Sequence, residues 1–149
     1  MLKMERILCP MDFSEFSAKS YEYAYSLAHH YSSKLYLEHV VQPLAMAYPY
    51  YSFPDSLSKI YWSLTRDAEA QLKSVVKNHS WDGIHPEMVV KEGFPTDAIL
   101  EFAEANHVNL IVMGTHGRRG IDHMTMGSVT ERVLRKARCW WCANPNTIS

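Results

Sequence analysis

An apolar run that leads into a glycine-rich segment is the most informative part of the sequence: Val108-Asn109-Leu110-Ile111-Val112-Met113-Gly114-Thr115-His116-Gly117, followed after nine residues by Gly127-Ser128. The run from 108 to 113 is short and strongly apolar, as expected of a strand buried inside a sheet. Ser128 begins a predicted helix that extends to Ala137, and Glu131 is spaced to complete a capping box with it. The segment therefore predicts a buried strand, a glycine-rich loop and a helix, in that order.

Short apolar runs alternate with helical stretches along the rest of the chain. The other predicted strands are 7–11, 35–41, 88–90 and 139–143. The other predicted helices are 16–31, 57 to about 79, and one that follows Thr96 as its N-cap. This alternation favours right-handed crossovers and a mainly parallel sheet. We therefore predict the α/β class, with one domain (residues 1–149) built on an open, Rossmann-like, five-stranded parallel sheet with helices on both faces.

Two segments depart from this alternation. Residues 42–56 contain three prolines and a cluster of aromatic residues, which predicts a long loop. Such a loop is either a lid, a partner surface or only a variable connection. Residues 139–149 predict an atypical last strand and tail, because Trp140 and Trp141 are bulky and Pro145 ends the strand early.

Composition excludes several classes of protein. The 149 residues carry 15 Lys and Arg against 16 Asp and Glu, a net charge of -1, so no general basic surface for nucleic acid is expected. No apolar run approaches the roughly 20 residues of a membrane span. The charged first residues do not resemble a signal peptide, and three cysteines are too few for a disulfide framework. These features predict a cytoplasmic protein that is not bound to a membrane.

The predicted ligand site lies where the first and fourth strands end, because open α/β sheets bind ligands beyond the carboxyl ends of their strands. Asp12 follows the first strand, and the glycine-rich loop follows the fourth. Glycines allow positive φ and a close approach of a ligand to the backbone, and a helix N-terminus suits a phosphate. The alternative is that Gly127-Ser128 is only a turn and a cap, and that Asp12 is only the N-cap of the first helix, with Glu15 completing its capping box.

The usual phosphate and metal motifs are missing from the sequence. It has neither a P-loop string nor a Gly-x-Gly-x-x-Gly fingerprint after the first strand. The pair Cys139-x-x-Cys142 lacks the two further ligands that a zinc site needs, so these thiols are predicted to be small apolar residues of a strand. We predict no metal site formed by protein ligands alone and no catalytic constellation.

The spacing Gly114-x2-Gly117-x9-Gly127-Ser128 resembles the ATP-binding signature of the universal stress protein family. Further matching pieces occur in the family's order along most of the chain: Cys9-Pro10-Met11-Asp12-Phe13-Ser14-Glu15, Glu38-His39-Val40, Asn109-Leu110-Ile111-Val112-Met113-Gly114 and Gly127-Ser128-Val129-Thr130-Glu131-Arg132-Val133-Leu134. The resemblance implies an adenine nucleotide alpha hydrolase-like fold, ATP or AMP as ligand, and a homodimer; Mg²⁺ could accompany the nucleotide.

The same resemblance implies roles for individual residues. Asp12 would contact the ribose and could contact Mg²⁺ indirectly, and Val40 and Met113 would line the adenine pocket. The Ser128 hydroxyl would bind a phosphate oxygen. The full predicted nucleotide-binding set is Pro10, Met11, Asp12, Val40, Met113, Gly114, His116, Gly117, Arg118, Gly127, Ser128, Val129 and Thr130.

The function implied is that of a regulatory stress-response protein whose contacts with a protein partner depend on bound ATP or AMP. Two alternatives remain open. One is a slow ATP hydrolase, with weak turnover because no P-loop lysine or clear base is present. The other is an interaction protein that binds no nucleotide. Where the family has an aliphatic last strand that takes part in dimer pairing, this sequence has Trp140-Trp141.

Overall fold

The computed structural model describes residues 3–42, 56–78, 83–115 and 127–144. Within them strands and helices alternate, with these bounds: β1 Arg6–Pro10, α1 Glu15–Tyr31, β2 Lys34–Val41, α2 Ser56–Asn78, β3 Glu87–Glu92, α3 Pro95–Ala105, β4 Leu110–Gly114, α4 Ser128–Lys136 and β5 Trp140–Asn144. The predicted elements are confirmed, with ends that differ by one or two residues. Apart from Gln42 and Ser56, the predicted 42–56 loop lies outside the described residues, as does the tail from 145.

The five strands form one parallel sheet in the order β3-β2-β1-β4-β5. This confirms the predicted open α/β fold. β1 is the central strand, with β2 on one side and β4 on the other. Two cores cover the two faces of the sheet. One packs α1 and α2 against residues such as Ile7 and Leu37, and the other packs α3 and α4 against residues such as Leu8 and Ile111.

Two predicted N-caps are wrong. Phe94, not Thr96, is the N-cap of α3, because Pro95 is the first helical residue and Thr96 lies buried in the first turn. Proline suits this position, since its ring presets the helical φ and it has no N–H to satisfy. Gly127 is the N-cap of α4 and makes no side-chain cap, so Ser128 is the first helical residue rather than the cap of a capping box.

Asn109 joins the amino ends of β1 and β4. Its side-chain oxygen accepts hydrogen bonds from the backbone N–H groups of Glu5 at 3.0 Å and Arg6 at 2.8 Å. Its own N–H donates to the Arg6 carbonyl at 2.9 Å, and its carbonyl accepts from Trp140 N at 3.1 Å. One residue therefore organises the starts of three neighbouring strands.

No helix in the part of the chain that the structure describes is long and apolar enough to cross a membrane.

Asn109→Ala is expected to lower the free energy of unfolding by about 1–3 kcal/mol, because the part-buried N–H of Arg6 and the exposed N–H of Glu5 lose their acceptor. Asn109→Asp keeps an acceptor oxygen and should lose clearly less. Urea denaturation of both variants measures the difference, and equal losses would show that these two hydrogen bonds do not stabilise the sheet.

Candidate functional site

The carboxyl ends of β1 and β4 lie side by side at the centre of the sheet, where the chain leaves β1 toward one face and β4 toward the other. We call this place the crevice: residues Pro10–Asp12, Met113–Thr115 and the start of α4. A switch point of this kind is where open α/β sheets bind their ligands. The structure therefore brings the end of the first strand and both ends of the glycine-rich loop together.

Two hydrogen bonds hold the start of α4 against the end of β4. The N–H of Gly127 donates to the carbonyl of Thr115 at 2.5 Å, and the hydroxyl of Thr130 donates to the carbonyl of Gly114 at 2.7 Å. Thr130 is buried, so its hydroxyl has a structural role. The first-turn N–H groups of Ser128 and Val129 have no acceptor within the helix and are held at the crevice.

The glycine at the start of α4 does not use the conformational freedom expected of it. Gly127 has φ -57° and ψ 145°, which any residue can adopt. Gly114 is simply the last residue of β4. Positive φ is therefore not the reason for a glycine at 127, and what glycine provides there is an absent side chain. The loop residues His116, Gly117 and Arg118 lie outside the described residues.

Asp12 organises the turn from β1 into α1. One of its carboxylate oxygens accepts hydrogen bonds from the N–H of Ser14 at 2.9 Å and from its hydroxyl at 2.5 Å. Ser14 is the N-cap of α1, and its oxygen accepts from Ser17 N at 3.2 Å. The alternative that Asp12 is the cap is therefore wrong, since Asp12 orients the residue that is.

The next residue, Phe13, has an unusual backbone conformation for an aromatic side chain, with φ +64°. Its ring lies 4.5 Å from that of His39, measured between centroids. The Nδ1 of His39 is 2.7 Å from the carbonyl oxygen of Met11, which can only accept, so Nδ1 carries the proton. His39 thus supports the turn beside the crevice. The sequence motif contained His39, but its role was not predicted.

The two predicted base-pocket residues share one face of the sheet. Val40 on β2 is half-buried and Met113 on β4 is 7 % exposed, and both belong to the core under α3 and α4. The central strand contributes Leu8 and Pro10 to this face between them. Val40 and Met113 therefore lie on opposite sides of the crevice, although Met113 is also an ordinary core residue.

The model of the Universal stress protein family matches residues 3–140. This chain belongs to the universal stress protein family. Among its relatives, Universal stress protein MJ0531 of Methanocaldococcus jannaschii is 34% identical over 139 residues, covering 91% of this chain and 78% of that protein.

Solved structures of the family share the fold. The structure of MJ0577, a universal stress protein of the same archaeon, superposes with a TM-score of 0.82 at 23% identity, covering 95% of this chain and 96% of that one. A universal stress protein in complex with cAMP has a TM-score of 0.59 at 21% identity, with 93% and 94% covered. One from Archaeoglobus fulgidus in complex with dAMP has a TM-score of 0.59 at 19% identity, with 96% and 98% covered.

This member of the family has a buried carboxyl group that the sequence analysis did not single out as a site residue. Glu38 on β2 is fully buried, and neither of its carboxyl oxygens has a hydrogen-bond partner among the described residues. Burial raises the pKa of Glu38 from 4.5 to about 8, and the charge of Lys91 opposes only part of this rise. Glu38 is therefore mostly a neutral acid at pH 7. Alternation along the strand was the available signal, because it places Glu38 on the same face as Tyr36 and Val40.

Burial disfavours the thiolate form of Cys9 and Cys139. Burial raises the pKa of Cys9 to about 12, and it raises the pKa of the half-buried Cys139 as well. Across residues 3–42, 56–78, 83–115 and 127–144, no group of three or more His, Cys, Asp or Glu side chains could hold a metal ion.

Glu38→Gln is expected to alter how stability depends on pH. Between pH 4.5 and about 8, Glu38 of the wild-type protein is ionised in the unfolded state and takes up a proton on folding. The free energy of unfolding of the wild-type protein is therefore highest, as far as Glu38 is concerned, below pH 4.5, and it decreases as the pH rises through this range. The variant has no such proton. Its free energy of unfolding should therefore rise relative to wild type by about 1.4 kcal/mol per pH unit in this range.

Urea denaturation at several pH values measures this slope. The control is Glu87→Gln, which neutralises an exposed carboxylate paired with Lys34 on the same sheet and should give a nearly flat difference. A constant difference between Glu38→Gln and wild type across pH 5–8 would show that Glu38 is ionised in the folded protein.

Proposed function

We propose that the crevice binds an adenine nucleotide, ATP or AMP, and that its occupancy regulates contacts of this protein with a partner in the cytoplasm. The observation that carries the proposal is the attachment of α4 to β4 by the Gly127–Thr115 and Thr130–Gly114 hydrogen bonds. It presents a helix N-terminus, with its unpaired N–H groups and partial positive charge, at the switch point of the sheet.

The phosphate end of the ligand is assigned to this helix start. The backbone of Gly114, Gly127 and Val129 and the exposed Ser128 hydroxyl would hold phosphate oxygens. A glycine N-cap leaves room for a phosphate to approach the backbone closely. The loop residues 116–118 complete the set as predicted from the family signature.

The nucleoside end is assigned to the other side of the crevice. Asp12, fixed by two hydrogen bonds from Ser14, would accept a hydrogen bond from the ribose beside Pro10 and Met11. The base would lie between Val40 and Met113. Family members solved with cAMP and with dAMP support an adenine nucleotide as the class of ligand.

Magnesium would arrive with the nucleotide. Mg²⁺ is commonly held by one or two carboxylates, water and substrate phosphates, so it does not need a complete protein site. Asp12 is the acidic side chain at the crevice that fits this donor set, as an indirect contact. Because one Asp12 oxygen is already held by Ser14, the arrangement favours binding over general-base catalysis of hydrolysis.

Gly127→Val is expected to abolish binding of ATP-Mg and AMP in isothermal titration of protein stripped of carried-over ligand. The backbone at Gly127 tolerates valine, so the loss would come from the side chain filling the phosphate position. Ala137→Val is the matched control, because Ala137 has a similar backbone conformation (φ -65°, ψ 133°) at the other end of α4. Absence of binding by the wild-type protein would overturn the proposed function.

We further propose that the protein is a homodimer in which β5 lies at the interface. β5 is the edge of the sheet next to β4, and Trp140 and Trp141 on it are 62% and 48% exposed. An unpaired strand edge with large apolar side chains is suited to pairing with a second copy.

Trp140→Asp is expected to convert the dimer to monomer in sedimentation velocity, because a buried charge at the interface is costly. Trp62→Asp is the control, since Trp62 is 64% exposed and its helix α2 packs on β2 and β3, at the end of the sheet opposite β5, so this variant should remain dimeric. A monomeric wild-type protein, or equal effects of the two substitutions, would contradict this interface.

A further inference from the structure

The buried carboxyl group of Glu38 has no structural explanation within the described chain. A buried polar group without a hydrogen bond is costly, and native proteins rarely keep one without a reason. An apolar side chain of similar size would satisfy the same position in the sheet. A hydrogen-bond partner that is not among the described residues, such as a bound ligand, would explain why a glutamate is buried here.

The surroundings of Glu38 indicate where such a partner could approach. Toward the amino end of β2, the same face is closed by Tyr36, which is 4 % exposed and packs edge-on against Phe102 with ring centroids 5.1 Å apart. Toward the carboxyl end, the next residue on this face is the half-buried Val40, and the register partner on β1 is the half-buried Pro10. Exposure therefore increases toward the crevice and, past the half-buried register partner Val89 on β3, toward the edge of the sheet. Of these two directions, only the crevice leads to the proposed ligand site.

One residue layer separates Glu38 from the crevice. Val40 is two residues further along the strand, which is about 7 Å at the usual rise per residue. Side chains of a strand lean along its direction, so the carboxyl group of a glutamate can cover much of this distance. A ring that rests on Val40 and Pro10 would be within reach of Glu38.

The neutral acid has a defined hydrogen-bonding pattern. It donates one O–H and accepts at its carbonyl oxygen, so it complements an edge that offers an N–H donor beside an acceptor. Adenine has this pattern, with its exocyclic amino group next to a ring nitrogen acceptor. In a site closed to water such a pair is strengthened by the low dielectric.

We propose that Glu38 is a specificity-determining residue of the crevice, whose carboxyl group hydrogen-bonds the amino edge of the bound adenine. This inference rests on the proposed nucleotide-binding function and adds to it the residue that recognises the base.

Among the described groups around Glu38, burial and the charge of Lys91 determine its protonation state. Tyr36 shares its strand, and Lys91 on β3 lies with its amino group 5.9 Å from the Phe102 ring centroid on the same face. Arg6, at the other end of β1, donates to the Asn106 carbonyl. The acidic residues of the two helices packed on this face are all exposed: Asp97, Glu101, Glu104 and Glu131.

The test is isothermal titration at pH 7 with AMP and with purine riboside 5′-monophosphate, which differs from AMP by lacking the amino group. The wild-type protein should bind AMP about tenfold more tightly than the analogue. Glu38→Leu should weaken AMP binding about tenfold and bind both ligands equally. Glu38→Gln keeps a donor and an acceptor and should retain the preference. Glu92→Gln, an exposed carboxylate at the end of β3, is the matched control and should behave as wild type.

The pH dependence separates recognition from a merely structural role. Above pH 8 the carboxylate no longer donates, so the affinity of wild type for AMP should fall by up to about tenfold per pH unit until the donor's contribution is lost. Glu38→Gln should show no such fall, because an amide does not titrate.

The outcomes distinguish the two proposals. If Glu38→Leu keeps the wild-type preference for AMP while Gly127→Val abolishes binding, Glu38 does not recognise the base and the proposed function stands. If the wild-type protein binds neither ligand, both proposals are overturned. A preference that is lost in Glu38→Leu and retained in Glu38→Gln supports both.

Discussion

The parallel direction of all five strands is the constraint on which the rest of the structure depends. Every carboxyl end lies at the same edge of the sheet. The turns after β1 and β4 therefore lie next to each other, although they are far apart in the sequence. The burial of β1 on both faces follows from the same arrangement, since its neighbours and the helices leave it no exposed side. Polar residues that are far apart in the sequence, such as Asp12 and Ser128, therefore lie around one crevice.

Much of this arrangement could be predicted from residue patterns. Short apolar runs predicted the strands and the spacing of apolar residues predicted the helices, because burial on one or two faces is encoded locally. Helix starts were harder, since they depend on which neighbouring group satisfies a few N–H donors. Proline at 95 and the hydrogen bonds between Asp12 and Ser14 decided those positions. The order of the strands required the structure, because pairing across the sheet is not local.

In the candidate site, too, local features could be predicted from the sequence and contacts between distant residues could not. The glycine spacing and Asp12 were visible in the sequence, whereas the attachment of α4 through Thr130 and the support of the β1 turn by His39 are contacts between distant residues. Glu38 was hidden for another reason. Alternation places it on the same face as Tyr36 and Val40, but only the packing of α3 against β2 shows that this face is buried at Glu38.

Strand order also sets the sequence of events during synthesis. β1 pairs early with β2, but its other neighbour, β4, begins more than a hundred residues later, and the Asn109 side chain bonds to backbone 103 and 104 residues before it. At the usual rate of translation, about 5–20 residues per second, that delay is roughly 5–20 s. During this interval the central strand of the future sheet has one open edge. The strand that is best protected in the finished protein is thus exposed to chaperones, or to other nascent chains, while it waits for its second neighbour.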